Sequence, residues 1–130
     1  MGRIFCILTG YLCGSFLTAE LVAQKRIGKS AFEIGTGNPG MANLAEQGGV
    51  GCAFRVLAGD VGKTLLACLL CRYVCGAELG TLAAAYAGLG CILGHDYPFW
   101  HWFHGVLAGN YEAAYNTMYS GETAEAATVE

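Results

Sequence analysis

The sequence is short of charge and of proline. Only 13% of its 130 residues are charged, where a soluble globular domain carries about 25%, and only two are proline. Seven Lys and Arg against ten Asp and Glu leave a net charge of −3, so no basic stripe exists to follow a nucleic-acid backbone. Nothing basic occurs in residues 106–130, which hold four glutamates. Seven cysteines, an odd count without regular spacing, exclude an ordinary disulfide scaffold. What is plentiful is apolar: 55% hydrophobic, 12% aromatic, twenty glycines and a mean hydropathy of +0.44. Such a chain is not disordered. Its length suits one domain or part of one, and its composition points to a small membrane protein.

The apolar residues fall into runs. Ile4 to Ala23 carries one charge, Glu20, and ends at Gln24-Lys25-Arg26; about 20 apolar residues cross a bilayer as a helix. A secretory signal is shorter and ends in small residues, so a retained span is expected. Val50 to Gly76 is a second candidate, interrupted by Arg55, Asp60 and Lys63, and Leu79 to Gly94 is an uncharged third. The expected fold is therefore all-α, a polytopic bundle with about three membrane helices. Tyr97, Phe99, Trp100, Trp102 and Phe103 follow the third run, as aromatics do at a membrane boundary. Gly10-x-x-x-Gly14 and Gly90-x-x-x-Gly94 place small residues on one face, where backbones approach closely. Cys68, Cys71 and Cys75 share a helical stripe and read as core packing. The cations Lys25, Arg26 and Lys29 put residues 24–49 on the cytoplasmic side, with a turn at 72–78 facing outward. His95 then returns to the cytoplasmic face. Charge and apolar density both change at Gly105, dividing the chain into residues 1–105 and an acidic tail, 106–130.

Two familiar motifs are imitated and fail. Gly35, Gly37 and Gly40 match the dinucleotide-binding glycine pattern, which needs an apolar strand before it; Lys-Arg-Ile-Gly-Lys-Ser precedes it instead. Gly62-Lys63-Thr64 looks like the end of a phosphate loop, but Leu57 stands where that motif requires glycine. The turn containing Thr36, Asn38 and Asn43 is either an ordinary polar turn or a concave anion site of backbone N–H groups. Asp60 and Lys63, three apart on a helix, are neighbours. They form a structural ion pair that Arg55 shares, or they shape a site for an anion, as charges within a span usually serve function. His95-Asp96 offers a general base or anion ligand near neutral pH, or a histidine that merely reaches the interface. His101 and His104 read as interfacial, and the three histidines lack the spacing of a metal site.

Taken in order, Gly10-Tyr-Leu-Cys-Gly-Ser15, Gly35-Thr-Gly-Asn-Pro-Gly-Met-Ala-Asn43, Gly59-Asp-Val-Gly-Lys63 and Gly94-His-Asp-Tyr-Pro98 resemble a known series. They look like the motifs of the bacterial acyl-phosphate:glycerol-3-phosphate acyltransferases, the PlsY family, from about residue 8 to Gly105. The resemblance implies an inner-membrane enzyme that moves a fatty acyl group from acyl-phosphate to glycerol 3-phosphate. The product is lysophosphatidate, in phospholipid biosynthesis, and no metal or organic cofactor is used. It implies catalytic roles for Thr36, Asn38, Asn43 and His95, and substrate binding by Gly35, Gly37, Gly40, Asp60 and Lys63. No nucleic acid is implied as a partner.

Two departures accompany it. Leu44-Ala45-Glu46 stands where the family usually has an arginine, and Phe103-His104-Gly105-Val106-Leu107 replaces its glycine–lysine phosphate loop. The chain thus reads as a truncated or frame-shifted member with little activity of its own. The rival reading is a non-catalytic membrane protein that assembles through its glycine faces.

Overall fold

A computed structural model of the chain describes residues 1–127; residues 128–130 of the expected acidic tail lie outside the described residues. The elements are α1 (Gly2–Ser15), α2 (Thr18–Arg26), α3 (Met41–Gly48), α4 (Val50–Leu79), α5 (Leu82–Asp96), a 3-10 turn (Phe99–His101) and α6 (Val106–Ala127). The described residues contain no strand, so the all-α expectation holds.

The first apolar run is helical but broken. Phe16 and Leu17 are extended, with ψ 103° at each, so α1 and α2 meet at an elbow. Gly2–Arg26 is also the one stretch among the described residues that is long and apolar enough to cross a membrane. The second and third runs form helices of 30 and 15 residues, but neither passes that test. The turn expected at 72–78 is helical instead. Gly76 alone does not stop α4, which ends at Gly80, where φ is +59° and a left-handed backbone suits glycine.

Two cores divide the molecule. Around α1, α4 and α5 the buried side chains are small: Cys6, Ala67, Cys71, Cys75, Ala83, Ala87 and Cys91. Here α1 and α5 make the most extensive helix contact. The glycines supply it as their spacing suggests. A Cβ on Gly10 or Gly14 would strike the carbonyls of Ala87 or Cys91, and one on Gly90 or Gly94 those of Ile7 or Tyr11. Both glycine faces are thus filled within one chain. The cysteines are all unpaired thiols and pack as small hydrophobes, as expected.

The large apolar side chains point the other way. Leu65, Leu66, Leu69 and Leu70 on α4 are exposed while Ala67 and Cys71 beside them are buried, the reverse of the usual sorting by size.

The second core lies among α2, α3, the 27–40 loop and the start of α4. Its side chains are Ala19, Val22, Ala23, Ala31, Ile34, Leu44, Cys52 and Val56. Leu44 is fully buried here, whereas Glu46, two residues on, is exposed.

Candidate active site

The elbow between α1 and α2 organises the site. A helix end leaves its last carbonyls without intrahelical partners, and no proline or glycine occupies residues 15–17 to explain the break. The partners come from distant segments. Lys63 Nζ donates to Gly14 O at 3.2 Å and Phe16 O at 2.8 Å, and Trp100 Nε1 donates to Ser15 O at 2.6 Å. Side chains inserted into the hydrogen-bond ladder are a recognised cause of a sharp bend. The bend lets Thr18 reach α4, where its hydroxyl donates to Asp60 Oδ1 at 3.0 Å.

Asp60 and Lys63 are ion-paired at 2.9 Å, as their spacing on α4 predicts. Arg55 does not join them; it turns back along its helix to donate to Gly51 O at 2.8 Å. Lys63 Nζ also lies 3.1 Å from His95 Nδ1, across 32 residues of chain. Asp60, Lys63, Thr64 and His95 line a cleft of about 240 Å³ whose remaining walls are Gly88, Cys91 and Ile92. Burial, reinforced by the Lys63 charge, pushes the His95 imidazole below its ordinary range against smaller opposing effects of Asp60 and Asp96. His95 is therefore neutral near pH 7.

The loop after His95 folds back on it. Trp102 and Phe103 both have positive φ, 52° and 60°, uncommon for bulky residues. They turn the chain so that Gly105 N donates to Asp96 O at 3.1 Å. A Cβ on Gly105 would strike the His95 carbonyl, so the close approach requires glycine.

The glycine-rich turn is built separately, from below. Asn43 on α3 is 3% exposed. Its amide donates to Ile34 O and Asn38 O, both at 2.9 Å, and more distantly to Ala31 O. Its Oδ1 accepts from Thr36 N at 3.2 Å. Three further N–H groups of the turn are also committed: Gly37 to Ile34 O, Asn38 to the Thr36 hydroxyl, and Gly40 to Asn38 O. Of the two readings of this turn, these bonds fit the ordinary polar turn. Gly35 and Gly37 have φ of +53° and +73°, and a Cβ on Gly35 would strike Asn43 Oδ1. Asn38 is nearly buried. Thr36, exposed, and Gly37 line a second cleft of about 310 Å³ with Phe32, His101, His104 and Glu112.

Asp60, Lys63 and His95 are thus brought together, whereas Thr36 and Gly37 open on a different cleft. The 3-10 turn links the two: Trp100 holds the elbow, and His101 stacks on Phe32 with ring centres 3.6 Å apart. Three contributors escape a reading of the sequence. Glu20 holds the loop, accepting from Ser30 Oγ at 2.9 Å and Ala31 N at 2.8 Å. Its isolation as the one charge in an apolar run was an available signal. Thr18 and Trp100 gave no such signal. Among the described residues no group of three His, Cys, Asp or Glu side chains is placed to hold a metal ion.

The family model described as glycerol-3-phosphate acyltransferase matches residues 4–110. The chain is 39% identical over 105 residues to glycerol-3-phosphate acyltransferase 1 of Lactobacillus acidophilus, covering 81% of this chain and 50% of that protein. It is 35% identical over 105 residues to the glycerol-3-phosphate acyltransferase of Coxiella burnetii, covering 81% of this chain and 53% of that one. The Pseudomonas paraeruginosa protein of that name is 35% identical over 98 residues, covering 75% and 50%. The chain spans about half the length of these curated relatives. No solved structure matches it significantly. With the family model matched across most of its length and relatives 35–39% identical to it, the chain belongs to the glycerol-3-phosphate acyltransferase family.

Proposed function

We propose that residues 1–105 form the amino-terminal part of a membrane acyltransferase that moves an acyl group from acyl-phosphate to glycerol 3-phosphate, giving lysophosphatidate. The observation that carries this reading is the convergence of Asp60, Lys63 and His95 on one cleft. The chain spends a helix break to achieve it. Acyl transfer needs an oriented hydroxyl and donors for the developing oxyanion, and a neutral imidazole beside an ammonium suits an anionic substrate. Thr36 offers its hydroxyl to the neighbouring cleft. Asn38 and Asn43 act from beneath by fixing the turn, and Gly35, Gly37 and Gly40 give it its shape.

The inner membrane is the proposed setting, with residues 24–49 cytoplasmic by the bias of Lys25, Arg26 and Lys29. The outward-facing leucines of α4 support it, since lipid imposes no penalty on large apolar surface. Assembly through the glycine faces, the rival reading, would require surfaces that α1 and α5 already occupy against each other.

A chimera tests the assignment. Residues 1–105 replace the matching part of the Lactobacillus acidophilus relative, and membranes are assayed with radiolabelled glycerol 3-phosphate and palmitoyl-phosphate. The chimera is expected to form lysophosphatidate and its His95→Ala form to lose at least about 100-fold in kcat, in line with the loss of a positioned proton-transfer or donor group. The 130-residue chain alone is expected to give little turnover, since Gly105-Val106-Leu107 replaces the glycine–lysine loop. A folded, inserted chimera without activity sinks the proposal.

A further inference from the structure

Lys63 has more acceptors than hydrogens. An ammonium carries three donors and no acceptor. Around Nζ stand Asp60 Oδ1 at 2.9 Å, Phe16 O at 2.8 Å, Gly14 O at 3.2 Å and His95 Nδ1 at 3.1 Å. The first three are oxygens that can only accept. The three hydrogens of an ammonium are shared among these four neighbours, so the nitrogen of His95 that faces it must present a lone pair and not a hydrogen of its own. An N–H on Nδ1 would set donor against donor at hydrogen-bond distance. A neutral imidazole has one N–H, and if Nδ1 lacks it, Nε2 carries it.

We infer that Lys63 is a positioning residue that fixes His95 as its Nε2–H tautomer, so that the histidine acts on the cleft as a hydrogen-bond donor and not as a base. Among the described residues Nε2 has no hydrogen-bond partner: neither Asp96, next in sequence, nor Asp60, which pairs with Lys63, bonds the ring. The ligand such a group takes is an anionic oxygen. Under the proposed function, on which this consequence alone rests, that oxygen belongs to the substrate phosphate or the carbonyl undergoing acyl transfer. The sequence left His95 open as general base or anion ligand, and the geometry points to the second.

The full 130-residue chain, labelled with ¹⁵N in its histidine rings and held in detergent micelles, gives the test. Ring nitrogen shifts and couplings distinguish a bare nitrogen from one bearing hydrogen, and a His95→Gln form identifies the signals. The expected result at pH 7.5 is a bare Nδ1 and a protonated Nε2 for His95. Lys63→Met is expected to release the ring into a mixture of tautomers. Lys63→Arg, also donor-only, is expected to keep Nε2–H. A wild-type His95 with hydrogen on Nδ1 overturns the inference. So does a Lys63→Met form that is folded by circular dichroism and keeps the wild-type pattern. Should that form not fold, the wild-type spectrum still decides. Acyl transfer is not measured here, so an inactive chimera and a wrong tautomer are separate failures.

Discussion

The two cores hold their helices by opposite means. The α1–α4–α5 core excludes side chains until backbone meets backbone, and glycine hydrogens and cysteine sulfurs fill what space remains. The core under the 27–40 loop instead buries branched aliphatics around a polar centre, Asn43, whose amide binds three carbonyls. Close backbone packing specifies one distance between two rigid rods. A buried amide specifies a loop with no regular structure of its own. The first tolerates no added volume, and the second tolerates no lost hydrogen bond. The candidate site needs both, since His95 rides on α5 and Thr36 on the loop.

The sharpest way to break this contrast is to add volume to the glycine seam. Gly90→Leu drives a side chain into the Ile7 carbonyl, where backbone cannot yield. Overpacking of yielding cores costs about 1–3 kcal/mol, and sometimes more; here at least ~3 kcal/mol is expected, with α1 and α5 separating. Gly88 lies on the same helix with no atom near its missing Cβ. Gly88→Ala is therefore expected to be neutral or to gain up to ~1 kcal/mol of helix propensity. Thermal unfolding of both variants in detergent checks the pair; equal effects would mean that the seam is not where the glycines act.

Asn43→Ala probes the other core by subtraction. It leaves the Ile34 and Asn38 carbonyls and the Thr36 N–H without their side-chain partner in a buried setting. The expected loss is about 2–3 kcal/mol, confined to the loop. Limited trypsin digestion should cut faster after Lys29 while α1 and α5 remain paired. Cleavage spread evenly along the chain would show that the cores are not separable.

The same contrast decides what the sequence could disclose. The α1–α5 seam was legible because glycine at four-residue spacing states its own geometry, and the Asp60–Lys63 pair because helical spacing does. The elbow at Phe16 was not legible, because its cause lies at Lys63 and Trp100, 47 and 85 residues from the carbonyls they cap. Helical periodicity cannot register a donor arriving from another segment. The turn at 35–43 was visible from its glycines, but the direction of its N–H groups depended on their acceptors, the buried Asn43 Oδ1 and the Thr36 hydroxyl among them. The end of α4 was misplaced because Gly76 resembles a stop, and only the left-handed backbone at Gly80 makes one.

The smallest expected effect is a dependence of stability on pH where seam and ion pair meet. His95 sits just past the last seam glycine, and Lys63 and burial hold its imidazole below its ordinary range. An unfolded chain returns it to about 6.5. As pH falls through that value, the unfolded state takes up a proton that the folded state refuses, so stability declines toward acid and is flat above about pH 7.5. The opposite sign would require Asp60 and Asp96 to outweigh Lys63 and burial. The quantity to measure is the difference between wild type and His95→Gln, which isolates this one side chain. Unfolding in detergent from pH 5 to 8 should show a shallower acid decline in the variant. Parallel curves would mean that His95 is as well solvated in the folded chain as in the unfolded one, and the cleft would then be too open to hold a neutral donor beside an ammonium.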